Sequence, residues 1–158
     1  MGKLIDKDKF GPWAVVTGAS SGIGREFARQ LAASGLNLVL IARRLELLED
    51  VGKQLAKEFG ILYRTIQADL AEEQSVKKIT DATADLDIGL LISNAGTGRP
   101  GKFLSFGDED LKYILQLNAV SHLSLTHYFG KRLARRRKGG ILLTGAMGAI
   151  DGLPYMAN

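Results

Sequence analysis

The chain alternates between two hydrophobic periods, and that alternation constrains its fold more than any other feature. Trp13-Ala14-Val15-Val16-Thr17, Leu38-Val39-Leu40-Ile41-Ala42, Ile88-Gly89-Leu90-Leu91-Ile92 and Ile141-Leu142-Leu143-Thr144 are short apolar runs, and Ile61 to Gln67 is a fifth, more mixed one. Runs of this length read as strands, and those that are continuously apolar read as strands buried on both faces. Helical spacing separates them. Ile23 to Ala33 carries Phe27 and Leu31 and is stopped by Gly35; Arg44 to Phe59 aligns Leu45, Leu48, Val51, Leu55 and Phe59 and is stopped by Gly60. Glu72 to Ala84 is a third helix. A fourth starts near Asp108, Glu109 and Asp110, acidic residues suited to a helix N-terminus, and runs with an interruption to Arg137. Strands alternating with amphipathic helices predict an α/β fold with a parallel sheet, doubly wound by right-handed crossovers. Neither repeats nor a low-complexity linker divide the 158 residues, which are read as one domain.

Composition removes several classes of function. With 46% hydrophobic and 24% charged residues, the chain is neither disordered nor coiled-coil. It has no cysteine and only two histidines, His122 and His127, so disulfide frameworks, zinc–thiolate sites and thiol nucleophiles are out, and no metal site is expected. No stretch approaches the ~20 apolar residues that cross a bilayer. Met1 to Phe10 alternates Lys3, Asp6, Lys7, Asp8 and Lys9 and contains no signal-peptide core, so the expected address is the cytoplasm, with no membrane partner. The net charge of +4 is concentrated late in the chain: residues 111–158 hold seven basic side chains and one acidic. Most of these form the run Lys131, Arg132, Arg135, Arg136, Arg137 and Lys138. Such a run is either an anion- or nucleic-acid-binding patch or the solvated C-terminal end of a helix, where cations oppose the dipole. Gly139-Gly140 follows as a helix stop should, and no aromatic residue interleaves the run for base stacking, so no nucleic-acid partner is expected.

The turn after the first strand reads Thr17-Gly18-Ala19-Ser20-Ser21-Gly22-Ile23-Gly24. Its spacing, Gly-x-x-x-Gly-x-Gly between a strand and a helix, is a variant of the dinucleotide fingerprint of a Rossmann sheet of order 3-2-1-4-5. Gly18 permits the sharp exit from the strand, Gly22 leaves room for a pyrophosphate at the helix N-terminus, and Gly24 lets helix and sheet approach. The alternative is a tight turn with no ligand. At the end of the second strand, a carboxylate would bind a ribose 2′-hydroxyl, whereas basic residues accept a 2′-phosphate. Here stand Ala42-Arg43-Arg44, with no acid before Glu46, so unless these are ordinary solvated arginines the expected cofactor is NADP.

These residues resemble the short-chain dehydrogenase/reductase family. Thr17 to Gly24 is similar to its cofactor signature, Asp69-Leu70 to its adenine-contacting pair, Asn94-Ala95-Gly96 to its Asn-Ala-Gly motif, and Asn118 in Leu117-Asn118-Ala119-Val120 to its helix-borne active-site asparagine. The resemblance runs from about Trp13 to the last residue. It implies that Gly18, Ser20, Ser21, Gly22, Ile23 and Gly24 hold the cofactor with Arg43 and Arg44, that Asp69 bonds the adenine amino group beside Leu70, and that Asn94, Ala95 and Gly96 line the adenosine ribose. It makes Asn118 the catalytic residue, holding a water in a proton relay. By residue type alone, Asp69 is also a helix cap, and Asn118 a kink or an interhelical bond.

The family's chemistry is hydride transfer between nicotinamide and a carbonyl or alcohol carbon, with a tyrosine as general acid/base, a lysine four residues on, and a serine on the substrate oxygen. Two departures stand out. Ala146 occupies the expected serine position, and alanine can neither donate nor accept a hydrogen bond; Thr144 fits only if the register slips by two. Tyr155 has no lysine four residues on, and Ala157-Asn158 is read as the pair that precedes the family's tyrosine, so the domain is expected to be incomplete at its C-terminus, with strand five a bare edge and Tyr155 a loop or substrate-pocket residue. The expected protein is an NADP-dependent reductase or alcohol dehydrogenase for a small-molecule carbonyl or alcohol substrate, homo-oligomeric at full length. The 158-residue chain itself, without the family's tyrosine and lysine, is expected to bind cofactor but not to turn over. The alternative is an inactive NADP-binding sensor or partner subunit.

Overall fold

In the computed structural model of the chain, residues 5–146 and Tyr155 are described, and five parallel strands form one sheet in the order β3-β2-β1-β4-β5. Along the chain run α1 (Lys7–Phe10), β1 (Trp13–Thr17), α2 (Gly22–Ala33), β2 (Asn37–Ala42), α3 (Leu45–Phe59), β3 (Tyr63–Gln67), α4 (Ser75–Ala82), β4 (Ile88–Ser93), α5 (Asp108–Leu115), α6 (Ser121–Arg136) and β5 (Gly140–Leu143), with a single 3-10 turn at Phe103–Ser105 and a π-helical segment at Gln116–Val120. The doubly wound parallel sheet expected from the sequence is present, in the expected order.

Strand alternation divides the core in two. Ala14, Val16, Leu38 and Leu40 point to one face and pack against Ala28, Leu31, Leu48, Val51 and Leu55 of α2 and α3. Their neighbours Val15, Val39, Ile41 and Leu91 point to the other and meet Ile79, Leu117, Leu125 and Phe129. Each fully buried side chain of this size contributes about 1.5–3 kcal/mol by leaving water. At the β5 edge the cover thins: Ile141 still packs against the cluster that holds Leu125 and Phe129, but Leu142 and Leu143 are 37% and 54% exposed.

Several boundaries differ from the sequence reading for identifiable reasons. The short α1 was not expected; Asp6 caps it, its Oδ1 accepting from the amides of Asp8 and Lys9. Strand β3 begins at Tyr63 instead of Ile61, and the Leu62 amide donates to the Asn37 side chain at 2.9 Å. Helix α4 begins at Ser75, not Glu72, because Asp69 closes turns of its own: its Oδ1 accepts from the Ala71 amide and its carbonyl from the Glu72 amide. Asp69 therefore caps a turn and not the helix. The interruption expected within the fourth helix is the π-helical segment around Asn118. Helix α6 stops at Arg136 with Arg137 left-handed at φ +54°, two residues before the glycine read as the stop.

The basic run is partly structural. Arg132 donates to the carbonyls of Thr83 and Leu86 while lying over the Tyr128 ring. Arg136 uses all five of its N–H groups, on both carboxylate oxygens of Asp87 and on the carbonyls of Lys9, Gly11 and Lys138. Lys131, Arg135, Arg137 and Lys138 remain exposed. At the same end of the sheet, a Cβ on Gly89 would stand 2.5 and 2.6 Å from the carbonyl oxygens of Phe10 and Gly11, so the chain before β1 rests directly on the β4 backbone. Among the described residues, no helix is long and apolar enough to cross a membrane, and no group of three or more His, Cys, Asp or Glu side chains is placed to hold a metal ion.

Candidate functional site

The site lies at the C-terminal ends of the strands, where Thr17 is the pivot. Its fully buried hydroxyl accepts from the amides of Asn94 (2.8 Å) and Ala95 (2.9 Å), and its carbonyl accepts from the Asn94 side-chain amide at 3.1 Å. The exit of β4 is thereby tied to the exit of β1. Gly24 sits against this junction: a Cβ there would come within 2.3 Å of the Gly18 carbonyl and 2.6 Å of Asn94 Nδ2. Gly22 is the opposite case. It has φ +55° and nothing within 4 Å of a built Cβ, so it leaves open space at the start of α2. No side chain caps that helix, and the N–H groups of its first turn are available to an anion.

The two arginines after β2 diverge. Arg44 turns back to the glycine turn, its Nη2 lying 3.4 Å from the hydroxyls of both Ser20 and Ser21. Arg43 crosses to α5 and donates to the Tyr113 hydroxyl at 2.9 Å; that hydroxyl donates to Asp69 Oδ2 at 3.4 Å, which lies 3.9 Å from Arg43. At this level of exposure the ion pair itself contributes little, about 0–1 kcal/mol.

Beyond β4 the chain passes the π-helical segment. Asn118 Oδ1 accepts from the Thr97 amide at 2.9 Å and its Nδ2 donates to the Thr97 carbonyl at 2.6 Å. Asn118 therefore makes no interhelical bond: it sits in the π-helical segment and its side chain is committed to Thr97 in the loop after β4. One turn further along, His122 contacts Ser93 and the Ala95 carbonyl. The Thr144 amide donates to the Ser93 carbonyl at 3.1 Å and its hydroxyl to the Asn94 carbonyl at 3.3 Å, so Thr144 extends the β4–β5 ladder by one residue. Ala146 is exposed just beyond. Tyr155 is exposed, and its carbonyl accepts from the Gly101 amide in the loop after β4. Met147, Gly148, Ala157 and Asn158 lie outside the described residues.

Between these groups is a cavity of about 250 Å³, lined by Gly18, Ser20, Ser21, Arg43, Arg44, Asp69, Leu70, Asn94, Ala95 and Gly96, together with Ile41, Ala42, Ala68 and Leu117. Ten of the expected residues therefore converge on one space. Gly22, Ile23, Gly24 and Asn118 do not line it: Gly24 supports the turn from behind, Ile23 is exposed, and Asn118 borders a separate apolar hollow with Phe103 and Leu111. Residues that sequence spacing did not single out are Thr17, Ser93, Tyr113 and His122. Thr17 was detectable in principle, as a hydroxyl at the inward end of an apolar strand, whereas the other three acquire their roles only through contacts across the fold.

A parallel sheet of this order with helices on both faces and a glycine turn at its centre is a Rossmann fold. A family model described as short chain dehydrogenase matches residues 12–158, and the chain belongs to that family. Among curated proteins it is similar to a very-long-chain 3-oxoacyl-CoA reductase of Neurospora crassa, 36% identical over 154 residues, covering 94% of this chain and 46% of that protein. Among solved structures it is similar to the bulky-bulky ketone specific alcohol dehydrogenase from Comamonas testosteroni (TM-score 0.88, 32% identity, 93% of this chain and 59% of that one). It is also similar to the L-sorbose reductase from Gluconobacter frateurii complexed with NADPH and L-sorbose (TM-score 0.88, 26% identity, 94% and 57%). The chain spans about half the length of the curated relatives it matches.

Proposed function

We propose that this chain forms the cofactor-binding part of an NADP(H)-dependent oxidoreductase acting between a carbonyl and an alcohol. The observation that carries the reading is the cationic rim of the cavity: Arg44 faces both loop hydroxyls, Arg43 stands beside it, and no carboxylate occurs between Ala42 and Leu45. A 2′-phosphate would meet guanidinium donors there, the acid that shares the cavity, Asp69, being paired with Arg43 at 3.9 Å. The open space at Gly22 and the uncapped α2 fit a pyrophosphate, Asp69 and Leu70 fit the adenine, and Asn94, Ala95 and Gly96 fit the ribose. The bound nicotinamide supplies the hydride donor or acceptor. Asn118 is kept as the counterpart of the family's relay asparagine, with its side chain bonded to both main-chain groups of Thr97. The related reductases named above, one of them solved with NADPH, support the cofactor and the substrate class.

The test is a titration with NADPH and NADH. Wild-type protein should bind NADPH more tightly. Arg44→Asp should weaken NADPH about 10- to 100-fold while changing NADH little, because charge-assisted bonds contribute about 1.5–3 kcal/mol and 1.4 kcal/mol is tenfold. Arg43→Asp should also reduce or reverse the preference. Equal wild-type affinities would overturn the specificity.

The second reading, an inactive NADP sensor or partner subunit, is favoured by Ala146, whose methyl group stands where the family's serine is expected. Ala146→Ser separates the two in a full-length protein that carries the family's tyrosine and lysine. There an enzyme should gain kcat on bulky ketones or 3-oxoacyl thioesters, whereas a sensor should turn over in neither form while both bind NADPH.

A further inference from the structure

We propose that His122 is a positioning residue of the cofactor site, which with Asn118 fixes the backbone of residues 93–97 against the cavity. This rests on the NADP reading above. His122 Nδ1 lies 2.7 Å from the Ser93 hydroxyl and Nε2 lies 2.9 Å from the Ala95 carbonyl. Asn118, four residues earlier, holds the amide and the carbonyl of Thr97. Residues four apart share a helix face, so Asn118 and His122 reach the same stretch of chain. His122 holds the Ser93 side chain and the Ala95 carbonyl, and Asn118 the main chain of Thr97. Asn94, between Ser93 and Ala95, is bonded on the β1 side to Thr17. The segment is gripped from both sides, and Ala95 and Gly96 line the cavity.

The chemistry of the partners fixes the roles. A carbonyl only accepts, so the Nε2 facing Ala95 carries the hydrogen, and Nδ1 then takes the hydrogen of Ser93. Ser93 is fully buried, so water cannot replace the ring there. A phenyl ring of similar size would keep the packing and lose both bonds. The consequences then separate. Burying an unpaired Ser93 hydroxyl costs stability, whereas releasing the Ala95 carbonyl loosens the wall of the cavity.

The experiment compares wild type, His122→Phe, and His122→Phe combined with Ser93→Ala, by urea unfolding, NADPH titration and amide hydrogen exchange. His122→Phe should unfold at lower urea and bind NADPH about tenfold more weakly. Removing the stranded hydroxyl in the double variant should restore most of the urea midpoint but not the affinity, and the Ala95 and Thr97 amides should exchange faster in both variants. His122→Gln, which offers one donor and one acceptor, should recover part of the affinity. Affinity that returns together with the urea midpoint, or exchange rates unchanged in His122→Phe, would overturn the proposal. If wild type binds no NADPH, the cofactor reading fails instead, and the exchange rates alone then decide for the clamp (faster) or against it (unchanged).

Discussion

Gly24→Val should abolish measurable cofactor binding and lower the unfolding free energy by about 3 kcal/mol or more, the upper end of what overpacking costs. Even the first carbon of a side chain at this position would stand 2.3 Å from the Gly18 carbonyl and 2.6 Å from the Asn94 amide. Neither obstacle is the free end of a flexible chain: one is backbone, and the other is held by Thr17. Helix α2 would have to lift from the sheet, and the turn that opens the cavity would move with it. Gly22→Ala is the control. Its Cβ meets nothing within 4 Å but must accept φ +55°, which costs roughly 1–2 kcal/mol. Gly24→Val should therefore unfold at clearly lower urea than Gly22→Ala. A Gly24→Val protein with the wild-type midpoint would refute the packing argument.

Arg136→Ala should cost about 2–3 kcal/mol, although the residue lies in what reads as a solvated basic run. The side chain is only 13% exposed and its five N–H groups are all used. Removing it strands carbonyls of Lys9 and Gly11 and leaves Asp87 unpaired. Losing one partner of a buried pair costs about 3–5 kcal/mol, but Asp87 is half in water and can rehydrate, which lowers the figure. Arg136→Lys should recover little, since an ammonium cannot reproduce a planar fork. Arg135→Ala, one position away and exposed, should change the urea midpoint hardly at all. Equal effects at 135 and 136 would contradict the assignment.

The sheet was legible because its strands announce themselves locally. Val15, Val39 and Leu91 lie in apolar runs whose alternation with helices gives a doubly wound parallel sheet, while the strand order followed from the glycine fingerprint. Element edges were less so, because distant or nonhelical partners decide them. Glu72 to Gln74 has a helical composition, yet Asp69 claims the amides that would start a helix there. The glycine turn and the adjoining arginines could be read from spacing, but not that Arg43 and Arg44 part company, since Tyr113 lies 70 residues from Arg43. Asn118 was conspicuous as an asparagine inside a helix. His122 was not, for its two partners lie 27 and 29 residues away and leave no pattern in the sequence.

The backbone contact at Gly89 and the fork of Arg136 lie at the end of the sheet remote from the cavity. That end works as a keel: chain rests on chain there, with no side-chain volume to trade, so it resists change of almost any kind. The opposite rim is made of turns hung from single hydroxyls and amides. There the exposed side chains, Arg43 and Arg44 among them, can be exchanged without loosening the hull, whereas Gly24 and Ser93 cannot.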